Sequence, residues 1–202
     1  MSYRKKERTV VIIKPDGVQR SLIGEVIHRY ERMGLKLVGI KMVTPTAEQI
    51  EKHYLVNPDW KINVGTKTIE NYNKKGETPP STDPLVVGEN VLKMLKHYMT
   101  MGPVISMVWE GANAVEVVRK VTGSTEPRSS DVGTIRGDFM LDSYPIADLD
   151  VRALRNIAHI SGNVSEATKE LPIWFKPEEI IEYRHVQEKI LYDADMGGIL
   201  DK

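Results

Sequence analysis

The 202-residue chain has no cysteine. Disulfides, thiolate metal sites and cysteine nucleophiles are thereby excluded, and their absence fits a reducing compartment. Neither sign of charge is in excess: 28 basic residues face 28 acidic ones, and the formal net charge is zero. No overall field favours DNA, RNA or anionic lipid, so an anionic ligand needs a local cluster of cations. No apolar run approaches the roughly 20 residues that span a bilayer. The first, Val10 to Ile13, stops at Lys14-Pro15 and is too short for a signal-peptide core. These absences predict a soluble cytoplasmic protein with no membrane or nucleic-acid partner. The usual phosphate-binding signatures are missing too: there is no G-x-x-x-x-G-K-[ST], no G-x-G-x-x-G and no kinase H-R-D loop. Any phosphate is handled another way. There is no internal repeat and no low-complexity tract.

The length suits one well-buried core. Thr9 to Ile13 is β-branched and apolar and reads as a buried strand, ended by the turn residues Lys14-Pro15-Asp16-Gly17. Ser21 is the expected cap of a helix carrying Leu22, Ile23, Val26, Ile27, Tyr30 and Met33 at helical spacing. Leu35 to Val43 reads as a strand and Thr46 to Leu55 as a short helix. Asn57 to about Asn90 is polar, rich in Pro and Gly and without periodicity, which predicts a long loop or inserted excursion. A helix over Val91 to Met99, a strand over Val104 to Trp109 and a helix over Ala112 to Val121, ended by Gly123, follow. Ser124 to Asp138 reads as an ordered loop, and Asp142 to Asp150 as a second polar interruption. Arg155 to Ile160 is a short strand candidate, Val164 to Leu171 a helix, and Pro177 begins another short one. Alternating strands and helices predict a mixed class with a single sheet. Trp109, Trp174 and Phe175 read as packing residues. His28, His97 and His185 fall in helical stretches and read as structural or solvated, as does His53.

Four blocks carry more. They are Ile13-Lys14-Pro15-Asp16-Gly17-Val18-Gln19-Arg20; Gly102-Pro103-Val104 through Val108-Trp109-Glu110-Gly111; Gly133-Thr134-Ile135-Arg136-Gly137-Asp138-Phe139; and Asn156-Ile157-Ala158-His159-Ile160-Ser161 with Glu170 and Trp174 to Glu179. In order and wording they resemble the nucleoside diphosphate kinase family. That resemblance implies a single domain over residues 1–202, interrupted by insertions at about 57–90 and 142–154. The implied fold is α+β, a ferredoxin-like βαββαβ antiparallel sheet covered by helices. The implied activity is transfer of the γ-phosphate of a nucleoside triphosphate, typically ATP, to a nucleoside diphosphate through a phosphorylated His159. Magnesium would arrive with the nucleotide, and the chain would form a homo-oligomer, a tetramer or hexamer. A nucleotide-binding regulator of the same fold with weak or no turnover is the alternative.

The resemblance also implies roles. Glu170 orients His159, and Tyr54 stands beside it, with Ser161 just after it. Lys14, Arg119, Thr125 and Arg136 match phosphate ligands, and Lys14 and Asn156 also hold the ribose. Leu92 sits nearest the position of the family's base-stacking phenylalanine. The chemistry is coherent: neutral imidazole, with an ordinary pKa of about 6.5, is a nucleophile at neutral pH without help from a base, and cationic donors stabilise the charged transition state. The family's wording at the site is N-x-x-H-G-S-D-S, whereas this chain has Ile160 and Gly162 where that pattern has glycine and aspartate. A β-branched Ile160 resists positive φ, which predicts a locally altered backbone after His159. The missing carboxylate leaves metal binding to the nucleotide phosphates.

Overall fold

A computed structural model describes residues 5–195; residues 1–4 and 196–202 lie outside the described part. Four strands form one antiparallel sheet: β1 (Glu7–Ile13), β2 (Lys36–Val43), β3 (Val104–Gly111) and β4 (Ala158–Ile160), in the order β2-β3-β1-β4. The order is that of the expected ferredoxin-like α+β sheet. Strands β1 and β2 each pair antiparallel with β3, so they run parallel and are joined by a helical crossover. That crossover holds α1 (Pro15–Gln19) and α2 (Ile23–Glu31).

Both faces of the sheet are covered, and the period-2 alternation of β1 shows how. Val11 and Ile13 join a core with Tyr30, Trp109, Val118 and Ile135, while Val10 and Ile12 join another with Ile50, Leu92, Met99, Trp174 and Phe175. The second core lies under α3 (Ala47–Tyr54), α5 (Pro84–Met99) and α9 (Val164–Trp174). Thr46 caps α3, accepting from Gln49 N at 3.1 Å. In β4, Ala158 and Ile160 face the first core. His159, opposite Ile12 in the register, therefore points to the α3 and α9 side.

Several elements differ from the sequence reading. Residues 57–90 are not a loop: they contain α4 (Trp60–Lys74) and the first half of α5. Gly65 and Gly88 look like breakers, yet they are what lets the two helices touch. A Cβ at Gly65 would overlap the Pro84 carbonyl, and one at Gly88 the Lys61 carbonyl. The polar stretch over 142–154 likewise holds α8 (Tyr144–Leu149), with Pro145 in its first turn. The loop over 124–138 includes a 3₁₀ turn at Pro127–Ser129 and α7 (Ile135–Phe139), capped by Thr134. It follows α6 (Ala114–Thr122), which ends at Gly123. Ser21 caps nothing; its φ is 58° and α2 starts after Leu22 without a side-chain cap. Past α9, Pro177–Glu179 is one 3₁₀ turn, followed by α10 (Glu188–Tyr192).

Candidate active site

The backbone leading to His159 is strained, and the strain lies before the histidine. Ile157 has φ 66°, and Ala158 N donates to Asn156 O at 2.7 Å, closing a γ-turn of the rare positive-φ kind. A β-branched residue seldom adopts this conformation, so the surroundings must hold it. Lys14 N donates to Ile157 O at 2.7 Å, and Ile157 N donates to Asp16 Oδ2 at 3.1 Å. Buried Arg136 donates through Nε to Asn156 O at 3.1 Å and through Nη2 to Ala158 O at 2.7 Å. The expectation for Ile160 is thus corrected. Ile160 is an ordinary strand residue opposite Val11, where β-branching is favoured.

His159 Nε2 lies 3.0 Å from Glu170 Oε1. Glu170, 2% exposed, projects from α9 and accepts the Ser161 hydroxyl at its other oxygen, 2.6 Å away. The ring of buried His53 stands edge-on to that of His159, with centroids 4.1 Å apart. Trp174 Nε1 donates to His53 Nδ1 at 3.1 Å, so His53 keeps its hydrogen on Nε2. Burial, then His159 and Lys14, hold its pKa well below the usual histidine value. Among the described residues His53, His159 and Glu170 group as a metal site would. The Trp174 hydrogen bond argues against one, because it leaves His53 Nε2 no lone pair to offer. The adjacency of His53 to Tyr54 on α3 was the available sign of this position. Tyr54 follows, its ring 6.1 Å from that of His159, and burial raises its pKa, with Glu170 adding to the effect.

Lys14, 5% exposed, donates to Asn156 Oδ1 at 2.7 Å, and Asn156 Nδ2 donates to Thr125 O at 2.9 Å. Burial and the nearby Arg136 charge push Lys14 down to about 7, against the opposing pull of Asp16. Arg136, lowered to about 10 by burial, also donates through Nη1 to Gly123 O and Ser124 O at 2.9 and 3.0 Å. One Nη2 hydrogen is left over, so Arg136 is mainly a clamp on backbone carbonyls. Arg119 on α6 is exposed.

Lys14, Tyr54, Arg119, Thr125, Arg136, Asn156 and His159 all line one cavity of about 460 Å³, with Glu170 behind His159. Leu92 does not belong with them: it is fully buried in the second core. Its helical neighbours Val91, Met94 and Leu95 reach the cavity instead, because adjacent positions on a helix point about 100° apart. Sequence reasoning also passed over Asp16, whose carboxylate secures the γ-turn, and the residues of α4 that form a cavity wall.

Comparison with known proteins points to one family. A family model described as nucleoside diphosphate kinase matches residues 7–62 and 86–180; the stretch between the two matched parts is most of α4 and its link to α5. A nucleoside diphosphate kinase from Pyrobaculum aerophilum is 42% identical over 180 residues, 87% of this chain and 98% of that one. Mouse nucleoside diphosphate kinase A is 37% identical over 187 residues, 93% and 97% of the two chains. Among solved structures, an NDP kinase from P. aerophilum has a TM-score of 0.84 at 41% identity, covering 88% of this chain and 100% of that one. A Borrelia burgdorferi nucleoside-diphosphate kinase, described as a transition state mimic with bound vanadate and ADP, has a TM-score of 0.75 at 35% identity, covering 92% and 96%.

Proposed function

Because the chain belongs to the nucleoside diphosphate kinase family, we propose that it transfers phosphate between nucleotides in two half-reactions through His159. The carrying observation is the 3.0 Å contact of His159 Nε2 with buried Glu170. Glu170 already accepts the Ser161 hydroxyl, so Nε2 bears the ring hydrogen and the lone pair resides on Nδ1. Nδ1 attacks the γ-phosphorus of a nucleoside triphosphate. The bond from that phosphorus to the β-phosphate oxygen breaks, its electron pair leaving with the diphosphate. A second diphosphate then attacks the phosphohistidine with a terminal oxygen, the nitrogen–phosphorus bond breaks, and neutral His159 returns. Glu170 offsets the positive charge that grows on the ring. Lys14, Arg119 and the spare Nη2 hydrogen of Arg136 meet the charge on the transferring oxygens. Asn156 and Lys14 suit the ribose hydroxyls, and the Tyr54 hydroxyl stays a neutral donor.

Magnesium fits the site as part of the nucleotide. Among the described cavity-lining residues the one carboxylate is Asp148, which is paired with Lys75. The ion would therefore be held by phosphate oxygens and water, where it would neutralise charge shared between the β- and γ-phosphates. Exposed Ile40 and Met42 on edge strand β2 suit a subunit contact of the homo-oligomer, tetramer or hexamer, that family membership implies. No helix among the described residues is long and apolar enough to cross a membrane, in keeping with a cytoplasmic enzyme.

Incubation with γ-labelled ATP and no acceptor tests the mechanism. Protein-bound label that is acid-labile and alkali-stable is expected, and it should be discharged by added diphosphate. His159→Ala should abolish labelling while retaining nucleotide binding. Label persisting in that variant would refute the phosphohistidine, and no label in the wild type would favour the regulator.

A further inference from the structure

The two insertions, far apart in sequence, meet over the outer end of the cavity. Lys75, just past α4, lies 3.5 Å from Asp148 on α8. The Tyr72 hydroxyl on α4 faces the same carboxylate. On α8, Tyr144 lies within electrostatic reach of Arg136 at the cavity's inner end and of Asp148 at its rim. Tyr72 and Tyr144 both line the cavity, and both border an adjoining surface hollow. They therefore stand where the enclosed space opens outward.

Each tyrosine is anchored. Tyr144 N donates to Glu126 Oε1 at 2.9 Å. The segment after α8 is tied back by Arg152, whose Nη1 and Nη2 grip the two oxygens of Asp142 at 2.7 and 2.9 Å. The helix carrying Tyr72 is locked to α5 at Gly65 and Gly88, where no Cβ could be accommodated.

A nucleotide whose phosphates reach Lys14 and His159 must place its base at the opposite end. There the α5 wall offers Val87, Asn90, Val91, Met94 and Leu95, none of them aromatic. The aromatic surface comes from the insertions. We propose that Tyr72 and Tyr144, one from each insertion, hold the nucleobase between α4 and α8. The proposal rests on the nucleotide reading above. Stacking on a tyrosine face uses the π-surface common to all bases, so the clamp serves an enzyme that accepts several nucleoside diphosphates.

Calorimetric titration of the full chain with ADP and, separately, with inorganic pyrophosphate tests this. Tyr144→Ala and Tyr72→Ala should each raise the Kd of ADP roughly 5- to 150-fold, which is what about 1–3 kcal/mol per stacked base represents. Pyrophosphate affinity should not change, and Tyr144→Phe and Tyr72→Phe should bind ADP like the wild type. An unchanged Kd for ADP in both alanine variants would overturn the clamp. So would an equal loss of pyrophosphate affinity, which would mark the tyrosines as structural. If the wild type gains no affinity from the nucleoside of ADP, the clamp fails while the phosphate site stands; if it binds neither ligand, the nucleotide reading itself fails.

Discussion

ADP binding at pH 8 should draw a proton onto Lys14. Burial and Arg136 hold this amine at about 7 in the free protein, so at pH 8 only about one tenth of the molecules carry the charge. Phosphate oxygens placed beside Nζ favour the charged form and raise its pKa. Once the bound value exceeds about 9, binding at pH 8 takes up roughly 0.9 proton, against about 0.5 at pH 7 and about 0.1 at pH 6. Affinity for ADP should accordingly fall as pH rises above 7, approaching about tenfold per unit. At pH 8 the second ionisation of the ligand phosphate, near pH 6, is already complete. Calorimetry in Hepes and in Tris, whose ionisation heats differ, gives the uptake as the slope of observed enthalpy against buffer enthalpy. Lys14→Met should abolish it. Wild-type uptake near zero at pH 8, or an uptake that survives in Lys14→Met, would refute the reasoning. The same depression affects folding. The unfolded lysine, at its ordinary 10.5, binds a proton that the folded one does not between about pH 7 and that value. Lys14 therefore makes the fold more stable as pH rises through the window, and this gain is absent below about pH 7.

Ser161→Ala removes the hydroxyl that lies 2.6 Å from Glu170 Oε2 and accepts from Val10 N at 3.2 Å. Two buried groups lose a partner, so a loss of about 1–3 kcal/mol is expected in urea denaturation, with slower labelling of His159. Gly65→Ala should lower the melting temperature and weaken ADP binding together, since overpacking costs about 1–3 kcal/mol and the displaced helix is a cavity wall. Gly24→Ala is the contrasting case: an added Cβ in the first turn of α2 meets nothing within 4 Å, and replacing glycine at a compatible backbone conformation should stabilise the protein by about 0.4–1 kcal/mol.

Strands β1 and β3 were legible because an unbroken apolar run needs only its neighbours in sequence to declare itself. The motif around His159 was legible because its residue types carry the chemistry. The helices within residues 57–90 and 142–154 were not. Helix α4 buries little apolar surface, and its Gly65 reads as a breaker until Pro84 is seen against it. Leu92 was misplaced for a related reason: on a helix packed on both sides, one position separates a core residue from a cavity residue, and Val91 reaches the cavity while Leu92 fills the core.

The sequence by itself determined the family and supplied the residues proposed as nucleophile, carboxylate partner and cationic ligands, since these depend on which groups are present and in what order. Only the tertiary structure decided how they act. It set strain at Ile157 rather than Ile160, spent most of Arg136 on backbone carbonyls, and put His53 against His159. It also brought α4 and α8 together over the cavity. Each of these rests on contacts between residues remote in the chain, whose distances no local pattern encodes.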